Sequence, residues 1–203
     1  MSGGAYPLTT RPASVVLRGI APTLVSTPHS LKRVARGSGA QRWYLRLKYG
    51  PLKNTEWNPI VGFCDEQLGQ YGKFTIVVPG KETPLGAVSG APLVNGAQAA
   101  GVTSVNLKSL AAATANVFKA GDLVVFATHL KVYEVTRAAS SDGGGLATIY
   151  INCPLLVAVA DGNAVTWQNV SMQCALLADT FDREWKSGLI CPGFDVEMIE
   201  DPY

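Results

Sequence analysis

The sequence predicts a mainly β protein with one flanking helix and an inserted small antiparallel β module, and three observations predict it. Between Phe118 and Val165, runs rich in Val, Ile, Thr and Tyr are broken by turn signals such as Lys119-Ala120-Gly121-Asp122 and Ser141-Asp142-Gly143-Gly144-Gly145, the punctuation that short antiparallel strands need. Trp43, Leu45, Leu47 and Tyr49 alternate with Tyr44, Arg46 and Lys48, the period of two that marks a half-buried strand. A helical period occurs once, after Gly50-Pro51. The chain has 203 residues, 47% of them hydrophobic, enough for one domain or two small ones with packed cores.

Taken in order, the stretch from Pro12 to Pro28 holds Ala-Ser-Val-Val-Leu-Arg-Gly-Ile and Thr-Leu-Val-Ser-Thr, two strands punctuated by Gly19 and Pro22. Leu31 to Arg36 and Gln41 to Tyr49 flank Gly37-Ser38-Gly39, which reads as a hairpin closed by a glycine-rich turn. Trp57, Ile60, Val61, Cys64 and Leu68 fall on one helical stripe, so a helix is expected over Thr55 to Leu68. Asn54 or Thr55 would cap its start and Gly69 its end, with Pro59 tolerated near the first turn. Phe74 to Val78 resumes as a strand. Lys81 to Ala100, rich in Gly, Pro and Ala, reads as a connector into a second unit. Strands are expected there near Val102–Leu107, Leu123–Phe126, Lys131–Arg137, Leu146–Ile151 and Ala164–Trp167. Val170 to Leu177 suits one more strand, followed by an acidic tail. The resulting division is a discontinuous domain, 1–82 with 167–203, interrupted by a β-rich module, 83–166.

Charge is segregated along the chain. Met1 to Thr55 carries nine Lys or Arg residues and no acid, and Asp179 to Tyr203 carries seven acids against Arg183 and Lys186, although the net charge is only +2. Two readings stand: the charges pair within one monomer, or one subunit's basic edge meets a neighbour's acidic edge, since opposed potentials fix register and steer assembly. Under the second, Arg33, Arg36 and Arg42 face Asp179, Asp182 and Glu184 across a subunit contact. The small net charge creates no demand for nucleic acid or an anionic membrane as partner.

Chemistry-bearing motifs are weak. Cys64, Cys153, Cys174 and Cys191 form no CxxC pair and only His29 and His129 accompany them, so buried free thiols are expected rather than a zinc site. Gly37-Ser38-Gly39 fails the dinucleotide pattern because Arg42 stands where its last glycine belongs. Asp142-Gly143-Gly144-Gly145 has too few carboxylates for a calcium loop and reads as a turn. No G-x-S-x-G accompanies His129 and Asp122, so His129 reads as a strand or turn residue. Asp179, Asp182 and Glu184 leave open a glycosidase-type hydrolase, and Trp167 with the inserted unit leaves open a carbohydrate-binding module. Trp57, Trp167, Phe181 and Trp185 read as core or interface anchors. No catalytic, cofactor-binding or metal-binding residues are assigned. The first residues lack the pattern of a signal peptide and no run approaches the ~18 apolar residues of a membrane span, so a soluble protein made and assembled in a reducing cytoplasm is expected.

Two stretches resemble a known family. Trp57–Val78, WNPIVGFCDEQLGQYGKFTIVV, is similar to the helix-then-strand segment of tailed-bacteriophage distal tail and tail-hub proteins, with its aromatic-led helix, early proline and G-x-Y-x-x-F strand entry. Pro92-Leu93-Val94-Asn95-Gly96-Ala97, Phe118–Asp122, Tyr133–Thr136, Asp142–Thr148 and Pro154-Leu155 follow the order of turns and strands in the inserted β module of the same virion proteins. The resemblance implies a baseplate or tail-tip structural protein with no enzymatic role and no cofactor. Its first domain would share the β-sandwich-plus-helix fold of tail tube subunits and close into a ring, commonly six-fold. The module would hang outside that ring. The partners implied are further copies of the chain, the tail tube protein, and baseplate, sheath or fibre proteins, with DNA passing through the channel and no membrane. A neck or tube adaptor is the nearest alternative. Tube lumens in these families are often acidic, whereas this N-terminal third is basic.

Overall fold

The computed structural model describes residues 2–27, 29, 31–188 and 190–203; Pro28, expected to end the second strand, lies outside them. The protein is mainly β with one helix. Its first half runs β1 (Ser2–Ala5), β2 (Ser14–Ile20), β3 (Thr23–Ser26), β4 (Val34–Gly37), β5 (Arg42–Tyr49), β6 (Leu52–Lys53), α1 (Asn54–Glu66) and β7 (Lys73–Val77). The insert supplies β8 (Leu93–Val94), β9 (Ser104–Lys108), β10 (Leu123–Phe126), β11 (Tyr133–Glu134), β12 (Ala147–Tyr150) and β13 (Val165–Thr166). The chain then returns as β14 (Ser171–Leu176), β15 (Ile190–Cys191) and β16 (Phe194–Glu200).

The main sheet has six strands in the order β1-β7-β14-β16-β5-β2. Only β1 and β7 run parallel; the other neighbours are antiparallel. β5 reads as the alternation predicts, with Trp43, Leu45, Leu47 and Tyr49 buried and Lys48 exposed. The acidic tail is corrected by this sheet: Phe194–Glu200 is an inner strand between β14 and β5, with Val196, Met198 and Glu200 buried on alternate positions. Its period of two is visible in the sequence, and Asp195 and Glu197 occupy the outer face of the pleat. There Glu197 lies opposite Arg46 and Asp195 opposite Lys48. β1 was not expected either, because its residues are Ser-Gly-Gly-Ala and its register comes from a partner some seventy positions away.

The Gly37-Ser38-Gly39 hairpin is also corrected. β2 pairs with β5 from Ser14↔Lys48 to Ile20↔Arg42, and β3 pairs with β4 from Thr23↔Gly37 to Ser26↔Val34. The two pairings form one long ribbon. The residue numbers of each pair add to 62 at the base and to 60 beyond it, so residues 38–41 face only residues 21 and 22 across an irregularity. Gly39 takes a φ of +71° there, and the Ser38 hydroxyl donates to the Pro22 carbonyl at 3.2 Å. Turn chemistry was present locally, but strand pairing on both sides converted it into a bulge.

Helix α1 buries Trp57, Ile60, Val61 and Cys64, as its stripe predicts. Lys53 stands at its N-cap, and the Glu56 carboxylate accepts from the Lys53 backbone N–H at 3.0 Å, which satisfies a donor that the helix start leaves free. The stripe's last member is corrected. The helix ends at Glu66, and Leu68 adopts a φ of +54° with 74% of its surface exposed before a 3₁₀ turn over Gly69–Tyr71.

The insert folds as two three-stranded antiparallel sheets, β11-β10-β13 and β12-β9-β8. Bridges Leu93↔Ala164 and Val135↔Ile151 join their free edges, so the six strands close on themselves, which removes exposed edges. Its core draws on residues from Val88 to Val165, with Phe118, Val124, Phe126, Tyr133 and Ile149 fully buried. A second core draws on Tyr6 to Val78 and Val170 to Met198, joined by Leu123 and Val132 of the insert. All four cysteines are free and buried, and burial pushes the Cys64 thiol up to about 12.

Asp122 fastens the connector to the module. Its buried carboxylate accepts from the backbone N–H groups of Leu85 at 2.6 Å, Gly86 at 3.2 Å and Lys119 at 2.7 Å. Gly86 lies so close that an added Cβ would come within 2.4 Å of the Val117 carbonyl oxygen. Removing the carboxylate strands those donors at about 1–3 kcal/mol for a buried group. Asp122→Ala is therefore expected to lose about 2–4 kcal/mol in urea unfolding, with residues 81–90 becoming the first site of limited proteolysis. A variant as stable and as protease-resistant as the parent would show that the connector is held by other contacts.

Candidate functional site

Two surfaces have the character of contact sites, and they lie apart along the main sheet. The first is the ribbon formed by β3 and β4. Every described residue from Ala21 to Ala40 is exposed, including Leu24 at 78%, Val25 at 52% and Leu31 at 84%. Lys32, Arg33 and Arg36 lie among them, and the segment holds no Asp or Glu. A two-stranded hairpin is marginal in water by itself, and exposed apolar area rimmed by charge marks an interaction surface.

The second surface is a groove of about 450 Å³ between the end of α1 and the start of β16, within the ~300–1,000 Å³ range of ligand clefts. Cys64, Leu176, Phe181 and Val196 give it an apolar floor, and Asp65, Asp179, Asp195 and Glu197 an acidic wall. Leu68 lines it as well, and Tyr71 nearby is 79% exposed. Past Phe181 the groove adjoins a second hollow of about 360 Å³ lined by Asp182 and Glu184.

The six residues expected at a subunit contact divide between these surfaces. Arg33 and Arg36 are on the ribbon. They form no ion pair among the described residues. Arg42 stands at its base, with the guanidinium 5.6 Å from the centre of the Tyr203 ring, so it is already engaged. Asp179 is part of the fold: its Oδ1 accepts from the Gln70 backbone N–H at 3.1 Å and caps the 3₁₀ turn. Asp182 and Glu184 are exposed on the loop between β14 and β15. Phe194 lies opposite Tyr49 at one end of β5, and the ribbon continues past Arg42 at the other. The groove residues Asp195, Val196 and Glu197 pair with Lys48, Leu47 and Arg46, roughly 14–20 Å along β5 from Arg42 at ~3.4 Å per residue, so the two surfaces stand apart in a single copy.

The reading in which the charges pair within one monomer holds in part. Arg46 pairs with Asp195 and, at 3.4 Å, with Glu197 on the outer face of the sheet; Arg11 reaches Glu82 at 3.9 Å, and Arg183 pairs with Asp65. These exposed pairs contribute little, on the order of 0–1 kcal/mol each. Among the described charges without an ion pair are those of the basic ribbon and, beside the groove, Asp182 and Glu184.

A buried ion pair that sequence reasoning missed joins the insert to the sheet. Lys131 Nζ lies 2.5 Å from Glu200 Oε2, and both side chains are almost wholly buried. Glu200 also accepts from the Val132 N–H at 2.8 Å and the Trp43 N–H at 3.1 Å. Lys131 donates to Gln41 Oε1 at 2.6 Å, and the Trp43 indole N–H donates to the Val132 carbonyl at 2.9 Å. Burial pushes the Glu200 carboxyl up, and the Lys131 ammonium and the two backbone donors pull it back. Neither residue carries a local signal, since 69 positions separate them.

His129 is a buried turn residue, with Nδ1 2.9 Å from the Tyr133 hydroxyl and its pKa lowered by burial. The Asp142 loop is a turn in which Oδ1 accepts from Gly144 and Leu146 N–H groups at 2.8 and 2.9 Å. Among the described residues no three His, Cys, Asp or Glu side chains are placed to share a metal ion, and no helix is long and apolar enough to cross a membrane. Compared with known proteins, the chain matches no family model and no curated protein. The likeness to tail-tip proteins thus rests on the motifs quoted above.

Proposed function

We propose that this chain is a virion structural protein of a bacteriophage tail, forming a ring at the tail tip or baseplate that joins the tail tube to distal components. Residues 1–82 and 167–203 would form the ring domain, with 83–166 carried outside it. One observation carries the reading of an assembly role: an apolar and basic ribbon whose faces are uncovered in a single copy. Such a ribbon gains most of its free energy by being covered, at roughly 25 cal/mol per Å² of apolar surface removed from water. The ordered motifs between Trp57 and Leu155 supply the tail as the place of assembly. Partners on this reading are further copies, the tail tube protein and a sheath, baseplate or fibre protein, with DNA only in transit.

Native mass spectrometry of the purified full chain across a concentration series, together with electron microscopy of the phage particle whose genome encodes it, tests the proposal. A discrete closed oligomer in solution and a matching ring at the distal end of the tail are expected. A chain that stays monomeric at high concentration and is missing from the particle overturns it.

A further inference from the structure

We infer that the β3–β4 ribbon of one copy docks in the groove between α1 and β16 of a second copy, so that the contact runs head to tail. The inference rests on the assembly role proposed above and names the partner surface. The two surfaces match in kind. The ribbon offers Leu24, Val25 and Leu31 with Lys32, Arg33 and Arg36 and no acid. The groove offers an apolar floor with four carboxylates at its wall, of which Asp65 and the Asp195–Glu197 pair meet Arg183 and Arg46, leaving acid in excess. Asp182 and Glu184 in the adjoining hollow extend that excess along the loop.

Position decides between a second copy and the same copy. Every described ribbon residue is exposed and the groove lies four to six residues along β5 from the ribbon's base, so the ribbon does not fill its own groove, and each copy presents one of each. That is the arrangement of a heterologous interface, which gives a ring when the rotation between copies closes and a filament when it does not. The groove's rim is also shaped against burial within its own chain. Leu68 is held in the left-handed region, which a leucine reaches only at a cost in strain, and there it is exposed. A docking ribbon would cover it.

The test uses full-length chains, each with one added cysteine at an exposed position, mixed in pairs and oxidised; the four native thiols are buried. Arg36→Cys mixed with Thr180→Cys should give a covalent dimer roughly tenfold faster than Arg36→Cys mixed with Thr148→Cys on the insert, as a bound neighbour raises local concentration. Equal rates for the two mixtures mean collision alone and overturn the inference. Dominant Arg36→Cys homodimers mean that ribbons pair with ribbons; the groove is then wrong while assembly stands. Sedimentation of the unmodified chain separates the failures, because a strict monomer removes the assembly role and the docking site together.

Discussion

Glu200→Ala is expected to lower the free energy of unfolding by about 3–5 kcal/mol, the cost of breaking a buried ion pair by removing one partner. The variant leaves the Lys131 ammonium without its counter-charge in a site closed to water, and it deprives the Val132 and Trp43 N–H groups of their acceptor. The pair itself is a weak source of net stability, since desolvating two charges consumes most of their attraction. A Lys131→Met, Glu200→Gln double variant should therefore recover most of the loss, with a coupling of roughly 2 kcal/mol or more between the two sites. Urea unfolding of the parent, Glu200→Ala, Lys131→Met, Glu200→Gln and the double variant measures this directly. Additive losses would show that the two residues act separately.

The pH dependence of Lys131→Met follows with a definite sign. Burial already raises the folded-state pKa of Glu200, and Lys131 is the first influence that opposes it. Without the ammonium the pKa rises further above the unfolded value of about 4.3. The folded state then binds a proton more tightly than the unfolded state, so the variant is most stable below that unfolded value. It loses stability as pH rises through the raised one. A variant whose stability holds level across that window would mean that water reaches the carboxylate.

The second large effect concerns association rather than folding. Leu24→Ser with Leu31→Ser should weaken self-association by at least about 100-fold, because each leucine that passes from water into a contact contributes roughly 1.5–3 kcal/mol. Both side chains are exposed in the single copy, so the melting temperature of the isolated chain should hardly move. Arg36→Glu should act differently, slowing association chiefly at low salt, where steering between opposed potentials is strongest. Sedimentation velocity at two ionic strengths separates the two behaviours. Unchanged association in the double serine variant would place the contact elsewhere.

Patterns that act within a few residues were legible in the sequence. The alternation of β5, the buried stripe of α1 and the run Leu123–Phe126 each appear where the residues predict them. Decisions made by distant partners were not. Phe194–Glu200 becomes an inner strand because β5 and β14 offer it two edges, and its carboxylates, read alone, resemble a solvated tail. Gly37-Ser38-Gly39 has the composition of a tight turn, yet the match of Leu24 and Val25 with Arg36 and Ala35 extends the pairing beyond it. Of the residues proposed for the contact, Arg33, Arg36, Asp182 and Glu184 were reached through charge segregation. Leu24, Leu31 and the floor of the groove were not, because a strand segment exposed on both faces has the same composition as one that is buried.

The entrance and exit of the insert have a consequence for how such a chain varies. Val77 and Ser171 are paired neighbours on β7 and β14, about 5 Å apart across the ladder, so a tight loop would join them as well as the ninety-odd residues that do. The sheet is indifferent to the size of what it carries at that point, and the carried unit is open to exchange while the frame stays fixed. Glu200 sets the condition: any replacement must bring its own cation to that carboxylate, or the frame must change with its cargo.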